Sequence, residues 1–347
     1  MRVAVLGLAH VHVENYIAIL ESLPGVDLIG CAERGGLERP GPEGAAVGPR
    51  QRPSRTFAGV RTYPSAQSLL KDCPDAVIIC SETSHHRELV EQAAAAGSHI
   101  LCEKPIATTL TDARAMNEAC QRAGVQFMTA FPMRFDATLK QTRRELQAGS
   151  LGEVLGVVGV NHSVNPSAHD AWFADPALSG GGALMDHVVH LADLYRWCFG
   201  CEIREVYAAL GQTPGSSVET SGLLLMTLEN GLQASIDCSW SRPGSYPRWG
   251  HLTLEIVAEN GALRVDPFAE HLTLYSPSSP GPQWVGFSPD PNRAMLEAFL
   301  ESAAQNTPPP VSWLDGYRAL QVVLGAYASN RSGQPETLSS NLTHPHP

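Results

Sequence analysis

The chain has 347 residues, and at about 150 residues per domain this length predicts two domains rather than a small binding module. Its 24 Lys and Arg residues against 35 Asp and Glu residues give a net charge of −11, with both signs interspersed. This pattern excludes the concentrated basic face that nucleic acids and anionic membranes require, so neither is expected as a partner. No apolar run reaches the roughly 18–20 residues that span a bilayer.

The eight cysteines are scattered, several of them inside apolar runs. His10, His12 and Glu14 interrupt the apolar N-terminal stretch, so we expect no signal peptide. The sequence therefore predicts reduced core thiols and a cytoplasmic protein. Cys198 and Cys201 are spaced as a CxxC pair, but without a second pair we expect two packed thiols rather than a zinc site.

The first 131 residues alternate apolar, strand-like runs with helix-like stretches. We predict strands at 2–6, 26–32, 76–80 and 99–102, and helices at 13–23 and 87–96. This alternation is typical of βαβ units and predicts an α/β domain with a doubly wound parallel sheet, the Rossmann architecture. Residues 35–55 contain four prolines and five glycines, and we expect a loop there instead of the second crossover helix.

The turn after the first strand occupies the position of the glycine-rich fingerprint that binds dinucleotides. Gly7 allows a tight turn, Ala9 leaves room for a pyrophosphate, and the helix after His12 offers N–H groups at its N-terminus. Only the first of the three usual glycines is present, so an ordinary βα turn is the alternative. Glu33, 21 residues after His12, is placed to bind the adenosine ribose and to repel a 2′-phosphate, which favours NAD. Arg34 leaves NADP as an alternative because a guanidinium could hold that phosphate.

From residue 151 the pattern changes to strands joined by hairpin-like connections. We predict strands at 151–160, 222–228, 232–240, 251–258 and 262–265, and helices at 183–198, 295–303 and 316–330. These elements predict an α+β substrate-binding and oligomerisation domain at 132–347 with a largely antiparallel, open sheet. We expect its tail to fray after about residue 334.

The helix predicted from Ala183 follows three consecutive glycines and carries Asp186, His190 and Asp193 on one face. An Asp one turn before a His can orient the imidazole and support its charge, as a general base requires. The alternatives are a capping Asp with a packed His, or metal ligation by Asp186 and His190 with His187 or Asp193. No third metal ligand can be placed, so we predict no metal site.

Two motifs carry a family resemblance. Glu103-Lys104-Pro105 directly follows the strand at 99–102, and the three glycines before Ala183 lead into Asp186-x-x-x-His190-x-x-Asp193. Both resemble signatures of the Gfo/Idh/MocA oxidoreductases, the family of glucose-fructose oxidoreductase and inositol dehydrogenase. The resemblance extends through most of the chain.

The resemblance implies that Lys104, Asp186 and His190 are catalytic. The expected reaction transfers hydride between NAD(P) and a secondary hydroxyl or carbonyl of a sugar, cyclitol or related polyol. His190 would be the general acid and base, Lys104 would polarise the reacting oxygen, and Asp186 would orient His190 or hold an adjacent hydroxyl. The resemblance also implies a homodimer or homotetramer.

Two further groups of site residues are expected, and in the first of them Ser81, Glu82 and His86 are implied by the resemblance. The cofactor-binding residues are Gly7, Leu8, Ala9, His10, His12, Glu33, Arg34, Ser81, Glu82, His86, Glu103 and Lys104. Glu82 and Thr83 stand where the family usually has Pro and Asn, which puts their cofactor contacts in question. The substrate-lining residues are Arg134, Asn161, His162, Trp172 and Phe173, chosen from their positions relative to the glycine loop.

Two other function classes stay open from the sequence. One is a dinucleotide-sensing regulator that has kept the fold without catalysis, which would not need Lys104, Asp186 and His190 together. The other is a glycosidase that keeps NAD bound and uses transient oxidation to weaken the glycosidic bond. Hydrolysis of aryl glycosides without net NADH formation would distinguish this second class from a dehydrogenase.

Overall fold

The computed structural model describes residues 1–33, 57, 59–275 and 281–339 of the chain. Arg34 and the loop predicted at 35–55 lie outside the described residues. Within the described part, no helix combines the length and the apolar character that a membrane crossing would need.

The N-terminal region is a parallel sheet flanked by helices, as predicted. Its described strands pair in the order β3-β2-β1-β4-β5-β6. They are β1 (Arg2–Leu6), β2 (Asp27–Ala32), β3 (Thr62–Tyr63), β4 (Ala76–Ile79), β5 (His99–Cys102) and β6 (Phe127–Thr129). The helices are α1 (Val13–Ser22), α2 (Ala66–Leu70), α3 (His86–Ala95) and α4 (Leu110–Ala123). β1 and β4 are almost entirely buried, which explains their continuous apolar sequences.

The strand order reverses between β1 and β4, which places a crevice at the carboxyl ends of these strands. Gly7 directly follows β1, Ser81 lies two residues after β4, and Glu103 directly follows β5. Parallel strands end at the same edge of a sheet, so these three segments meet at that crevice. The predicted fingerprint and the predicted Glu-Lys-Pro motif therefore share one edge of the sheet.

The second region is a mixed sheet, largely antiparallel as predicted, in the order β12-β11-β7-β10-β9-β8-β15. Of its pairings, β7 with β10 is parallel and the others are antiparallel. Its strands are β7 (Val154–Val164), β8 (Ile203–Gly211), β9 (Ser221–Leu228), β10 (Gln233–Arg242), β11 (Gly250–Ala258), β12 (Gly261–Val265) and β15 (Glu336–Thr337). A separate hairpin pairs β13 (His271–Leu274) with β14 (Gln283–Gly286). The helices are α5 (Ala137–Ala148), α6 (Pro176–Ser179), α7 (Ala183–Phe199), α8 (Pro291–Gln305) and α9 (Trp313–Ser332).

The last helices join the two regions. α7 and α9 cover one face of the second sheet, while α9 also packs against α4 and β6, and α8 packs against α1. The prediction that the chain frays after about residue 334 is wrong for the residues described there, because β15 pairs with β8 and Leu338 is 9% exposed. The boundary after residue 131 stays a prediction.

The prediction of core thiols is confirmed for six of the eight cysteines, which are buried, whereas Cys73 is exposed and Cys201 is half-buried. All eight cysteines are free thiols. Cys198 is buried at the end of α7 and Cys201 is half-buried just after it. Neither belongs to a group of side chains that could hold a metal ion among the described residues.

A buried ion network fixes the junction between the regions. Arg134, in the short 3-10 turn 132–135 that links them, donates through Nε to Asp193 Oδ2 at 2.7 Å and through Nη2 to Asp315 Oδ1 at 2.8 Å. Asp193 lies on α7 and Asp315 in the first turn of α9. Although burial opposes ionisation, Arg134 and Arg196 lower the pKa of Asp315 to about 2. One guanidinium therefore ties both helices to the linking turn.

Arg134→Met should destabilise the protein strongly because it leaves Asp193 and Asp315 buried beside fewer cations. We expect the free energy of unfolding to fall by about 3–5 kcal/mol, the usual cost of breaking a buried pair. The matched control is Arg122→Met, which removes an exposed pair with Glu118 and should cost less than about 1 kcal/mol. Urea unfolding followed by tryptophan fluorescence measures both, and equal losses would contradict the role of the network.

Candidate active site

A cavity of about 260 Å³ lies where the two regions meet. Its wall combines residues that follow β1 and β5 with residues of β7, α7 and β11. The residues that matter for its chemistry are His10, His12, Lys104, Asp186, His187 and His190. Lys104, Asp186 and His190, which the sequence predicted as catalytic, are thus brought to one cavity by separate elements.

An ion pair between Lys104 and Asp186 spans the junction. Lys104 Nζ lies 2.7 Å from Asp186 Oδ1 and 3.3 Å from the Asp186 carbonyl oxygen. The two side chains are 5% and 11% exposed. Burial opposes ionisation of Asp186, but the Lys104 ammonium and His187 hold the pKa of this carboxyl well below its usual range. The pair is therefore charged at neutral pH.

Two residues that the sequence analysis did not single out as site residues place Asp186. The Trp240 indole N–H, on β10, donates to Asp186 Oδ2 at 3.2 Å. Glu219 accepts the backbone N–H groups of Gly182 and Leu184 on Oε1, at 2.8 and 3.0 Å, and so stabilises the N-terminus of α7. A capping carboxylate 37 residues away in sequence leaves no local signal, so only the fold reveals it.

His190 does not receive the partner that the sequence predicted. The Asp186 oxygens serve Lys104 and Trp240, and His190 Nδ1 is buried without a hydrogen-bond partner among the described residues. Asp186 therefore makes no hydrogen bond to His190 among the described contacts, and whether it holds a substrate hydroxyl stays a prediction. Burial and the Lys104 ammonium keep the pKa of His190 well below 6.5. The imidazole is therefore neutral at pH 7, the form that can accept a proton.

His187 and Ser163 add a second polar group to the cavity wall. Ser163 Oγ lies 2.9 Å from His187 Nε2, and His187 Nδ1 lies 3.4 Å from Asp186 Oδ2. Burial lowers the pKa of His187 to about 4. The imidazole is thus neutral, which leaves Lys104 as the cation that balances Asp186.

The fingerprint turn fits a dinucleotide. Gly7 has φ +74°, and a Cβ there would lie 2.5 Å from Ser81 Cβ, so this position accepts only glycine. Among the described residues no side-chain hydrogen bond caps α1 at His12, and the Val13 N–H donates to the His10 carbonyl at 3.2 Å. Leu8 is buried beneath the turn. These features match a pyrophosphate site at a helix N-terminus.

The other predicted cofactor residues take three different positions. Glu33 follows β2 at the crevice edge, where an adenosine ribose would lie. Glu82 Oε2 lies 3.1 Å from His85 Nδ1. His86 is buried, with Nδ1 3.1 Å from the Ile106 carbonyl and Nε2 3.2 Å from the Ser81 carbonyl. His86 thus links the segments after β4 and β5, and its cofactor contact stays a prediction.

Glu103 is a fully buried carboxylate between the fingerprint turn and Lys104. Its Oε1 lies 2.8 Å from His12 Nδ1 and 3.6 Å from His10 Nδ1. Its Oε2 accepts the Lys104 backbone N–H at 3.0 Å. Burial opposes ionisation, but the two histidines and Lys104 hold the pKa of Glu103 well below its usual range. Burial lowers the pKa of His10 to about 3.

The predicted substrate residues divide into two groups. Asn161 and Phe173 line the cavity, and Asn161 Nδ2 donates to the His187 carbonyl at 3.2 Å. Arg134 is committed to the ion network and does not line the cavity. His162 lies on the opposite face of β7 from Asn161, 3.0 Å from Asp237. Arg134 and His162 therefore do not line the cavity as it stands, and their substrate roles stay predictions.

Trp172 contacts the fingerprint turn rather than the cavity. Its Nε1 donates to the Ala9 carbonyl at 3.2 Å, and its ring stacks on Phe173 at a centroid distance of 4.0 Å. Trp172 does not line the cavity, and its direct substrate contact stays a prediction. Its indole instead links the second region to the turn predicted to bind the cofactor.

The cavity also includes residues that sequence reasoning missed. Trp249 and His251 lie at the start of β11, and Phe268 follows β12. Ser163 lies two residues after Asn161, so strand alternation puts both on the face that borders the cavity. That two-residue period was the sequence signal that could have found Ser163. The β11 residues reach the cavity only because β11 pairs with β7.

Comparison with known proteins agrees with this geometry. The family model described as "Oxidoreductase family, NAD-binding Rossmann fold" matches residues 1–131. The model described as "GFO/IDH/MocA C-terminal domain" matches residues 139–264. Together they cover both sheets of the molecule.

The matches to individual relatives cover most of this chain and most of the relative. The chain is 28% identical to the D-apiose dehydrogenase of Paraburkholderia graminis over 303 residues, which is 82% of this chain and 79% of that protein. It is 27% identical to the myo-inositol 2-dehydrogenase of Thermotoga maritima over 288 residues, which is 78% of this chain and 81% of that protein. The crystal structure of GenD2 from gentamicin A biosynthesis, in complex with NAD, is similar with a TM-score of 0.84 and 22% identity, over 98% of this chain and 97% of that chain.

The matched models cover both regions, and the fold has the parallel and mixed sheets that the sequence predicted. The dinucleotide prediction and the family resemblance are thereby confirmed. The chain belongs to the Gfo/Idh/MocA family of NAD-binding oxidoreductases.

Proposed function

We propose that this enzyme oxidises a secondary hydroxyl of a sugar, cyclitol or related polyol, and reduces the matching carbonyl, with Lys104, Asp186 and His190 as its catalytic residues. One observation carries the proposal. The Lys104–Asp186 ion pair and the neutral His190 border a single cavity beside a turn that accepts a dinucleotide. A hydrogen-bonding cation and a proton acceptor are the two groups that alcohol oxidation requires.

Each of the residues around the cavity has a separate role in the proposed reaction. His190 accepts the proton of the substrate hydroxyl, and the Lys104 ammonium stabilises the negative charge that develops on the same oxygen. Asp186 holds the ammonium in place, and Trp240 fixes the second oxygen of Asp186. The residues of the fingerprint turn and Glu33 would hold NAD, which supplies hydride acceptance when bound. In the reductive direction His190 donates the proton and Lys104 polarises the carbonyl.

The substrate class follows from the cavity and from the relatives. Asn161 and Ser163 offer polar groups, whereas Phe173 and Trp249 offer aromatic faces that suit the C–H surface of a hydroxylated ring. Two relatives are named as dehydrogenases of D-apiose and myo-inositol. We therefore assign this chain a polyhydroxylated small molecule as substrate.

Lys104→Ala and His190→Ala should each lower kcat/KM for oxidation by about 10²- to 10⁴-fold, the usual contribution of a positioned acid-base group. NAD binding should be largely retained because the fingerprint turn is untouched. NADH absorbance, measured with NAD and a panel of sugars and cyclitols, follows turnover, and isothermal titration calorimetry follows NAD binding.

The matched control is Lys71→Ala, which removes an exposed lysine at the C-cap of α2 and should leave turnover unchanged. Turnover near the parent value in both site variants would overturn the catalytic assignment. Release of nitrophenol from aryl glycosides without net NADH would instead identify a glycosidase that retains NAD.

The pH dependence should carry the signature of a buried imidazole. Since the pKa of His190 lies well below 6.5, kcat/KM for oxidation should stay level down to about pH 6.5 and decline only below it. Reduction needs the imidazolium, so its kcat/KM should still rise as the pH falls through that range. Initial-rate profiles in both directions test this, and an oxidation limb centred at or above pH 6.5 would contradict it.

We also propose that the protein is a cytoplasmic homo-oligomer assembled through the open face of the second sheet. Leu223 and Leu225 on β9 are 61% and 63% exposed, and Leu155 and Val158 on β7 and Val257 on β11 of the same sheet are at least half exposed. An apolar face of this extent is typical of an interface between subunits. The eight free thiols suit a reducing compartment.

Leu225→Glu should dissociate the oligomer because it buries a charge in the apolar interface. Light scattering coupled to gel filtration should show a multiple of the chain mass for the parent and a single chain for the variant. Leu272→Glu is the matched control, because Leu272 is 66% exposed but lies on the separate hairpin. A monomeric parent, or dissociation by both variants, would contradict the assigned interface.

A further inference from the structure

We propose that His10, His12 and Glu103 form a binding site for a divalent transition-metal ion such as Zn²⁺. Their ligand atoms, Nδ1 of each histidine and a carboxylate oxygen, all lie within 4.8 Å of one another. Within the described parts of the chain this is the group of three such side chains that converges. Two imidazoles and one carboxylate are the donor set of several three-ligand zinc sites.

The distances are close to those that a metal requires. Ligand atoms about 2.0–2.1 Å from a tetrahedral ion lie about 3.4 Å from one another. Glu103 Oε1 is 3.6 Å from His10 Nδ1 and 2.8 Å from His12 Nδ1. Both distances to Glu103 Oε1 thus lie within about 0.6 Å of the value for a tetrahedral ion, and the two histidine nitrogens lie within 4.8 Å of each other.

The contacts within the cluster are those that a cation would replace. Glu103 Oε1 is hydrogen-bonded to His12 Nδ1 at 2.8 Å and lies 3.6 Å from His10 Nδ1. The His12 backbone N–H reaches His10 Nδ1 at 3.3 Å, a long hydrogen bond to an acceptor nitrogen. Metal binding would displace the proton between His12 and Glu103 and the long contact to His10, and all three atoms would then act as ligands.

The residues around the proposed ion orient Glu103 as a ligand and leave one coordination position open to the cavity. Glu103 Oε2 accepts the Lys104 backbone N–H at 3.0 Å, which fixes the carboxylate and leaves Oε1 for the ion. His10 and His12 both line the cavity. A fourth ligand, such as water or a hydroxyl, therefore has access to the ion. Imidazole nitrogens select Zn²⁺, Co²⁺ or Ni²⁺ over Mg²⁺.

Titration with CoCl₂ tests the site, because the visible spectrum of Co²⁺ reports its coordination. The protein should carry no affinity tag, and His344→Ala with His346→Ala should be present throughout to remove the histidines of the C-terminal His-Pro-His sequence. We expect one equivalent of Co²⁺ with four- or five-coordinate bands and no thiolate charge-transfer band. Excess Mg²⁺ should leave these bands in place.

His12→Ala and Glu103→Gln should each weaken Co²⁺ binding by about 100-fold or more, since loss of a ligand exceeds the 10- to 100-fold cost of losing a supporting partner. His10→Ala is a third variant if one of these fails to fold. The matched control is His85→Ala, whose imidazole also lies beside a carboxylate, Glu82, at 3.1 Å. Its Co²⁺ bands should equal those of the parent.

Three results would overturn the site. They are a parent protein without the bands, bands that survive in the folded ligand variants, and bands that the His85→Ala control also loses. Each of these readouts is independent of turnover, so the metal site and the dehydrogenase activity can fail separately.

Discussion

The ion pair between Lys104 and Asp186 is the interaction on which the rest of the site depends. It joins the end of a strand in the parallel sheet to the first turn of a helix in the second region. A buried pair of this kind is stable only when its remaining hydrogen-bonding capacity is also satisfied. Trp240 meets that requirement for Asp186, and Glu219 stabilises the helix end that carries it. The two sheets are thereby held at a fixed distance across the cavity.

This pair also sets the protonation states around it. The Lys104 ammonium keeps Asp186 ionised and disfavours positive charge on His187 and His190, which burial already opposes. The cavity thus contains a charged ion pair beside neutral imidazoles. A neutral imidazole near an ammonium is suited to take a proton while the cation holds the oxygen that loses it. The same arrangement explains why an acidic protein needs no basic surface to bind an anionic dinucleotide, since the N-terminus of α1 and Lys104 supply local positive potential.

Local sequence patterns predicted the elements of the fold well. The strands β1, β4 and β5 are short apolar runs because helices cover both faces of their sheet, and such runs are readable without any partner. The positions of residues that act through contacts distant in sequence could not be predicted from local patterns. Arg134 and His162 occupy plausible sequence positions, yet one is drawn into an ion network with α7 and α9, and the other turns to the outer face of β7. The expectation of fraying after residue 334 failed for a similar reason in the residues described there, because β15 is stabilised by pairing with β8.

The sequence by itself determined the parallel and largely antiparallel sheets, the dinucleotide turn at Gly7 and the approach of Lys104, Asp186 and His190 to one site. These features rest on periodicity, turn residues and short motifs, which are local. Only the tertiary structure decided that Asp186 serves Lys104 and Trp240 rather than His190, that Glu219 caps α7, and that His10, His12 and Glu103 converge. Those contacts join segments far apart in the chain, and their distances depend on how the two sheets pack together.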